Sequence, residues 1–168
     1  KEAAVEKSAQ QLKVELISPF VEGTKETFKI MTNTTIRRKD LYIKKGYEMF
    51  GDVSGILGLS GTTAGTCAIS LSESLAQKVV RKILGLSADG VLSDNDMRDG
   101  IGEMINMIAG CAKTALTGTE YKFNLTLPTI ISGGKHEFFQ RTGTYCVVIV
   151  FETGDKETFT LDVCVAKR

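Results

Sequence analysis

The chain has no tryptophan, only two prolines (Pro19 and Pro128) and a single histidine, His136, in 168 residues. One histidine, and four cysteines (Cys67, Cys111, Cys146 and Cys164) without a CxxC pair, leave no ligand spacing for a zinc site. Each cysteine sits in an apolar or small-residue stretch, so all four are expected as reduced, buried thiols of a cytosolic protein. No apolar run approaches the roughly 20 residues that a membrane-spanning helix needs. An excess of one charge is missing too: a formal net charge of +1 gives no bulk electrostatic reason to bind nucleic acid or an anionic membrane. Arg37-Arg38-Lys39 and Lys44-Lys45 are local exceptions, but Leu41 and Ile43 alternate between them as in a strand, which reads as a solvated face. Residues 1–11 are charged and Ala-rich and lack the apolar core of a signal peptide. They are expected as an N-terminal extension (a frayed helix, a disordered tail or expression-derived residues) ahead of a domain over 12–168. The N-x-[ST] matches at Asn33 and Asn124 are then coincidences in a cytoplasmic chain.

What is present suits one folded domain, with 42% apolar and 24% charged residues. A first helix is expected from Ser18-Pro19, where serine can cap and proline suits the first turn, through Phe20, Thr24, Phe28 and Met31. Strands are expected over 36–45, 49–59 and 65–70, punctuated by glycines. Ser72 caps a compact amphipathic helix with Leu75, Val79, Ile83 and Leu84 inward and Gly85 as its stop. A long helix over 94–116 opens on Ser93-x-x-Asp96, a capping-box pattern, and ends before Gly118. Three alternations then read as half-buried strands: Phe123/Leu125/Leu127, Tyr145/Val147/Ile149/Phe151 and Phe159/Leu161/Val163/Val165. The expected class is α+β, a single domain with an antiparallel-type sheet and long helices. The order of helix then strands occurs twice, which suggests a weak internal pseudo-duplication.

The long helix carries the information about function. At about 100° per residue, Met97, Ile101, Met104, Ile105, Ile108, Ala112, Ala115 and Leu116 form a core-facing stripe. On the opposite side Asp99, Glu103, Asn106, Gly110 and Lys113 follow at intervals of 4, 3, 4 and 3, a nearly straight line. Most polar helix faces are only solvated. Here, however, Asn106 is a poor helix former at mid-helix, and Gly110 costs nearly ~1 kcal/mol relative to alanine. A face that gives up helix stability in this way is a candidate for contact.

Asp99, three residues, Glu103, two residues, Asn106, twenty-one residues and Pro128 match the signature of the CheC/CheX phosphatases, with Asp or Ser at the first position. A chance match in a chain of this length is on the order of one in several hundred. The chain resembles this family over nearly its whole length, and IGEMINMIAG followed by LPTIISG resembles the CheX branch in particular. The resemblance implies removal of the phosphoryl group from the aspartate of a phosphorylated CheY-type response regulator. Asn106 would orient the attacking water, and Glu103 would hydrogen-bond the receiver's active-site lysine. Gly110 would allow close approach of the partner. Asp99 would either contact the partner or favour the helix N-terminus, and Pro128 would shape a strand edge near the helix. No metal or cofactor is implied for this chain, since the receiver brings Mg²⁺. The resemblance also implies a homodimer. In the first helix the nearest equivalent is Glu26 with Lys29, without a proline at the required distance, so one active helix per chain is expected. Two other readings compete. One is a non-catalytic binding module, a phosphorylated-receiver sink or flagellar-switch-like component; the other is a structural dimerisation domain.

Overall fold

The computed structural model of the chain describes residues 2–166, with side chains from Val14 onward. Helix α1, Glu2–Thr32, continues through Pro19 instead of starting at it. An internal proline removes one helical N–H and crowds the preceding turn, at a cost of about 3 kcal/mol. Burial on both sides of it overrides that local preference: Leu16, Ile17, Phe20 and Val21 are all in the core. The side chains of the extension expected over 1–11 lie outside the described residues.

Seven strands and two further helices follow: β1 Arg37–Ile43, β2 Val53–Ser60, β3 Gly65–Leu71, α2 Glu73–Ile83, α3 Asp94–Leu116, β4 Asn124–Leu125, β5 Thr129–Ser132, β6 Thr144–Glu152 and β7 Thr158–Ala166. All strand pairs are antiparallel, in the order β1-β6-β7-β3-β2-β4, with β5 also on β2. The α+β class read from the sequence is therefore the one observed. Exchanging β1 with β4/β5, β2 with β6 and β3 with β7 turns this order into its own reverse. The pseudo-duplication is thus a topological two-fold centred on the β3–β7 pair, with α1 and α3 exchanged and α2 unmatched.

The helices cover one face of the sheet. Ile101, Met104, Ile105 and Ile108 of α3 share a core with Leu57, Ile69, Ile149, Leu161 and Val163 of the strands. The opposite face is covered by loop segments, where Met49, Ile56 and Ala68 cluster with Ile131 and Phe138. Polar anchors hold this second layer: Lys44 pairs with the buried Asp162 at 2.7 Å, and His136 hydrogen-bonds Ser54 at 2.7 Å. Desolvation raises the Asp162 pKa, opposed by the nearby Lys44 ammonium.

Several local expectations need correction. Leu84 and Ala115 are exposed, because each helix turns them off its buried face at the C-terminal end. The strand expected through Phe123, Leu125 and Leu127 is only β4, and pairing with β2 resumes in β5 beyond Pro128. Strand β1 is exposed throughout, yet its basic run is more than a solvated face. Lys39 and Arg37 hydrogen-bond the buried Glu152 carboxylate and lower its pKa to about 2. Cys146 and Cys164 are not free thiols: they oppose each other across β6 and β7, with Cα atoms 3.9 Å apart, and form a disulfide. Cross-strand register brings them together over a separation of 18 residues, which their local contexts do not reveal. Cys67 remains a buried free thiol, its pKa raised by desolvation and by Asp162; Cys111 is free and half-buried.

Candidate functional site

Helix α3 begins where its sequence says it should. The Ser93 hydroxyl accepts the Asp96 N–H at 3.0 Å, and the Asp96 carboxylate accepts the Ser93 N–H at 3.2 Å, a complete capping box. From there the 3.6-residue period places Ile101, Met104, Ile105, Ile108, Ala109 and Ala112 fully inside. The same period turns Asp99, Glu103 and Lys113 to solvent, with Asn106 and Gly110 partly exposed beside them. All five residues of the polar line therefore lie on the outward face of one helix. Glu103 and Asn106, three residues apart, have Cβ atoms about 5–6 Å from each other by helical geometry.

Their side chains are uncommitted. Among the described residues, Asp99, Glu103 and Asn106 have no hydrogen-bond or ion-pair partner. The row thus presents two carboxylates, which only accept, and one amide, which both donates and accepts. Beyond Asn106 comes a bare point of backbone: a Cβ added at Gly110 would meet nothing within 4 Å.

The two flanks of α3 are defined by close contacts. On one side α1 crosses at Gly23, where an added Cβ would lie 3.0 Å from both the Ile108 carbonyl oxygen and Cys111 Cβ. On the other, the ring of Pro128 faces Gly102: a Cβ there would lie 3.6 Å from Pro128 Cγ and 3.8 Å from Ile130 Cδ1. Pro128 stands in the gap between β4 and β5, where the regular ladder on the outer edge of β2 is interrupted and its missing N–H donor is tolerated. The proline of the signature thereby sits against the residue preceding Glu103. Asp99, Glu103, Asn106, Gly110 and Pro128 are all brought to this side of α3. Glu26 and Lys29 lie on the exposed face of α1 instead.

One residue escaped the sequence reading. Leu127, assigned to the half-buried alternation, is 89% exposed. The signal available was the proline after it, which interrupts a strand ladder.

A convex helix face with free acceptors suits a macromolecular partner better than an enclosed small molecule, whose sites are concave. A cavity of about 360 Å³ lies elsewhere, lined by Phe28, Asn33, Lys78, Lys82 and Glu157 at the end of α1. Among the described residues no three His, Cys, Asp or Glu side chains gather as a metal site, and no helix is long and apolar enough to cross a membrane.

Comparison with known proteins gives a consistent picture. The family model described as "Chemotaxis phosphatase CheX" matches residues 53–152, which include α3 and Pro128. The crystal structure of CheX from Desulfovibrio desulfuricans is similar at 30% identity and a TM-score of 0.81, over 90% of this chain and 99% of that one. CheX from Borrelia burgdorferi, solved in a complex with CheY, BeF₃ and Mg²⁺, has the same fold at 22% identity and a TM-score of 0.73, over 90% of this chain and 97% of that one. FliY from Thermotoga maritima shares the fold at 15% identity and a TM-score of 0.64, over 91% of this chain and 88% of that one. No curated protein matches the chain.

Proposed function

This chain belongs to the CheX family of chemotaxis phosphatases, and from that premise we propose that it removes the phosphoryl group from the phospho-aspartate of a CheY-type response regulator. The observation that carries the proposal is the unpartnered Glu103/Asn106 pair on the outward face of α3, beside the Gly102–Pro128 contact. An acyl phosphate already has a good leaving group, so the protein's task is to place a water in line with the P–O bond. Asn106 accepts a hydrogen bond from that water through its amide oxygen. Being uncharged, it approaches a dianionic phosphoryl group that would repel a carboxylate. As the water oxygen bonds to phosphorus, the P–O bond to the receiver's aspartate breaks, giving free carboxylate and inorganic phosphate. Glu103 makes a charge-assisted hydrogen bond to the receiver's active-site lysine and so sets the docking register. Mg²⁺ belongs to the receiver. Gly110 leaves room for close approach, and Asp99 either contacts the partner or serves the helix N-terminus.

The complex of the Borrelia relative with CheY supports a receiver as partner. A homodimer follows from the family, and β1 offers a surface for it: it is the outer strand of the sheet, with Leu41, Tyr42 and Ile43 exposed. A receiver as partner calls for a cytoplasmic location, whereas a disulfide such as Cys146–Cys164 is commoner in oxidising compartments. The test is phosphate release from a panel of phosphorylated CheY-type receivers, with Asn106→Ala as control. A receiver sink or flagellar-switch-like component would need Glu103 but not Asn106. Binding without phosphate release by the wild-type chain would establish that reading instead.

A further inference from the structure

The most exposed large apolar side chains of the described residues are Val91 and Leu127, at 91% and 89%. A single exposed apolar residue is ordinary on a protein surface. Val91 lies in the loop ahead of α3, whose first residue, Asp94, is about 13.5 Å of helix rise from Glu103. Leu127 is placed otherwise. It immediately precedes Pro128, whose ring faces Gly102, the residue before Glu103. Leu127 is thus one residue removed from the contact that flanks Glu103.

The backbone that presents Leu127 is held in place. The Thr126 N–H donates to the Gly58 carbonyl at 3.0 Å, and the Gly58 N–H donates to the Thr126 hydroxyl at 2.7 Å. On the other side, Pro128 confines Leu127 to extended backbone conformations, and β5 begins at once. The break between β4 and β5 is what turns a side chain that strand alternation would have sent inward out to solvent. Exposure here is a fixed presentation on a braced segment.

We propose that Leu127 is the apolar anchor with which this chain holds a phosphorylated receiver against α3. The proposal rests on the phosphatase reading above and deepens it. Exposed ion pairs contribute little net affinity, so Glu103 gives orientation more than strength, and Asn106 is reserved for the water. An apolar side chain at the margin supplies the missing contact, provided that the receiver offers a small apolar depression beside its phosphorylation site. Burial of a leucine from this degree of exposure is worth on the order of tenfold in affinity or more.

The experiment titrates wild type, Leu127→Ser and Leu127→Met as full chains into CheY-type receivers trapped with beryllofluoride and Mg²⁺, alongside phosphate release from the same receivers. Leu127→Ser is expected to raise the Kd about tenfold with an unchanged melting temperature, and Leu127→Met to restore most of the affinity. Leu127→Ser binding within twofold of wild type overturns the anchor and leaves the phosphatase reading standing. Wild type that binds without releasing phosphate overturns the catalytic reading alone, and the same titration still decides Leu127. Wild type that neither binds nor dephosphorylates any receiver overturns both.

Discussion

Helices α1 and α3 hold equivalent places in the two halves of the fold, yet their outward faces differ in kind. On α1 the exposed turn is occupied by an ordinary surface pair, Lys25 with Glu22 at 3.6 Å, followed by Glu26 and Lys29. On α3 the corresponding surface is a row of free acceptors, with a proline-terminated edge beside it. The glycines make the same point. Gly23 of α1 is buried where the two helices touch, whereas Gly110 of α3 faces open space. The inward faces of both helices answer to one shared core. The outward faces are free of that constraint, and only one of them carries a constellation suited to chemistry on a partner.

The sharpest way to test this contrast is Asn106→Ala. It should slow receiver dephosphorylation by about 10²-fold or more, the scale of lost positioning, while receiver binding survives in a titration; unchanged turnover would remove the mechanism. Glu103→Ala should weaken both docking and turnover, by about 0.2–1 kcal/mol in binding as expected for an exposed ion pair. An unaltered Kd would rule out the lysine contact. Gly23→Ala should destabilise the fold by about 1–3 kcal/mol in urea denaturation, because the added methyl lies 3.0 Å from the α3 backbone. Gly110→Ala should do the opposite and stabilise by about 0.5–1 kcal/mol. Receiver affinity of that variant then decides whether the gap at 110 is used by the partner. Smallest of all, Glu26→Ala should leave phosphate release unchanged, since Lys29 stands where the amide would be and no proline stands at the signature distance; a measurable loss would mean that both helices act.

Much of the site was legible in the sequence because a helix maps spacing onto a face by a fixed rotation. The intervals through Asp99, Glu103, Asn106, Gly110 and Lys113 put them on one side without any tertiary information, and Ser93 and Asp96 marked the start. Pro128 was legible as part of a signature, but its seat against Gly102 was not, since that contact joins a strand edge to a helix 26 residues earlier. Leu127 was misread for a related reason. A period of two holds only while the ladder is paired, and pairing with β2 lapses between β4 and β5.

What the sequence determined by itself, then, was the α+β class, the two caps, the amphipathic phase of α3 and the row of polar residues on it. These depend on interactions within a few residues, where stereochemistry sets the outcome. Tertiary structure alone decided that α1 runs through Pro19, that Cys146 meets Cys164, that the two halves are related by a two-fold strand order, and that Leu127 is exposed. The first three set a local preference against burial or register between distant segments, where the larger free energy of the packed core prevails, whereas Leu127 is exposed where the ladder on β2 is interrupted between β4 and β5.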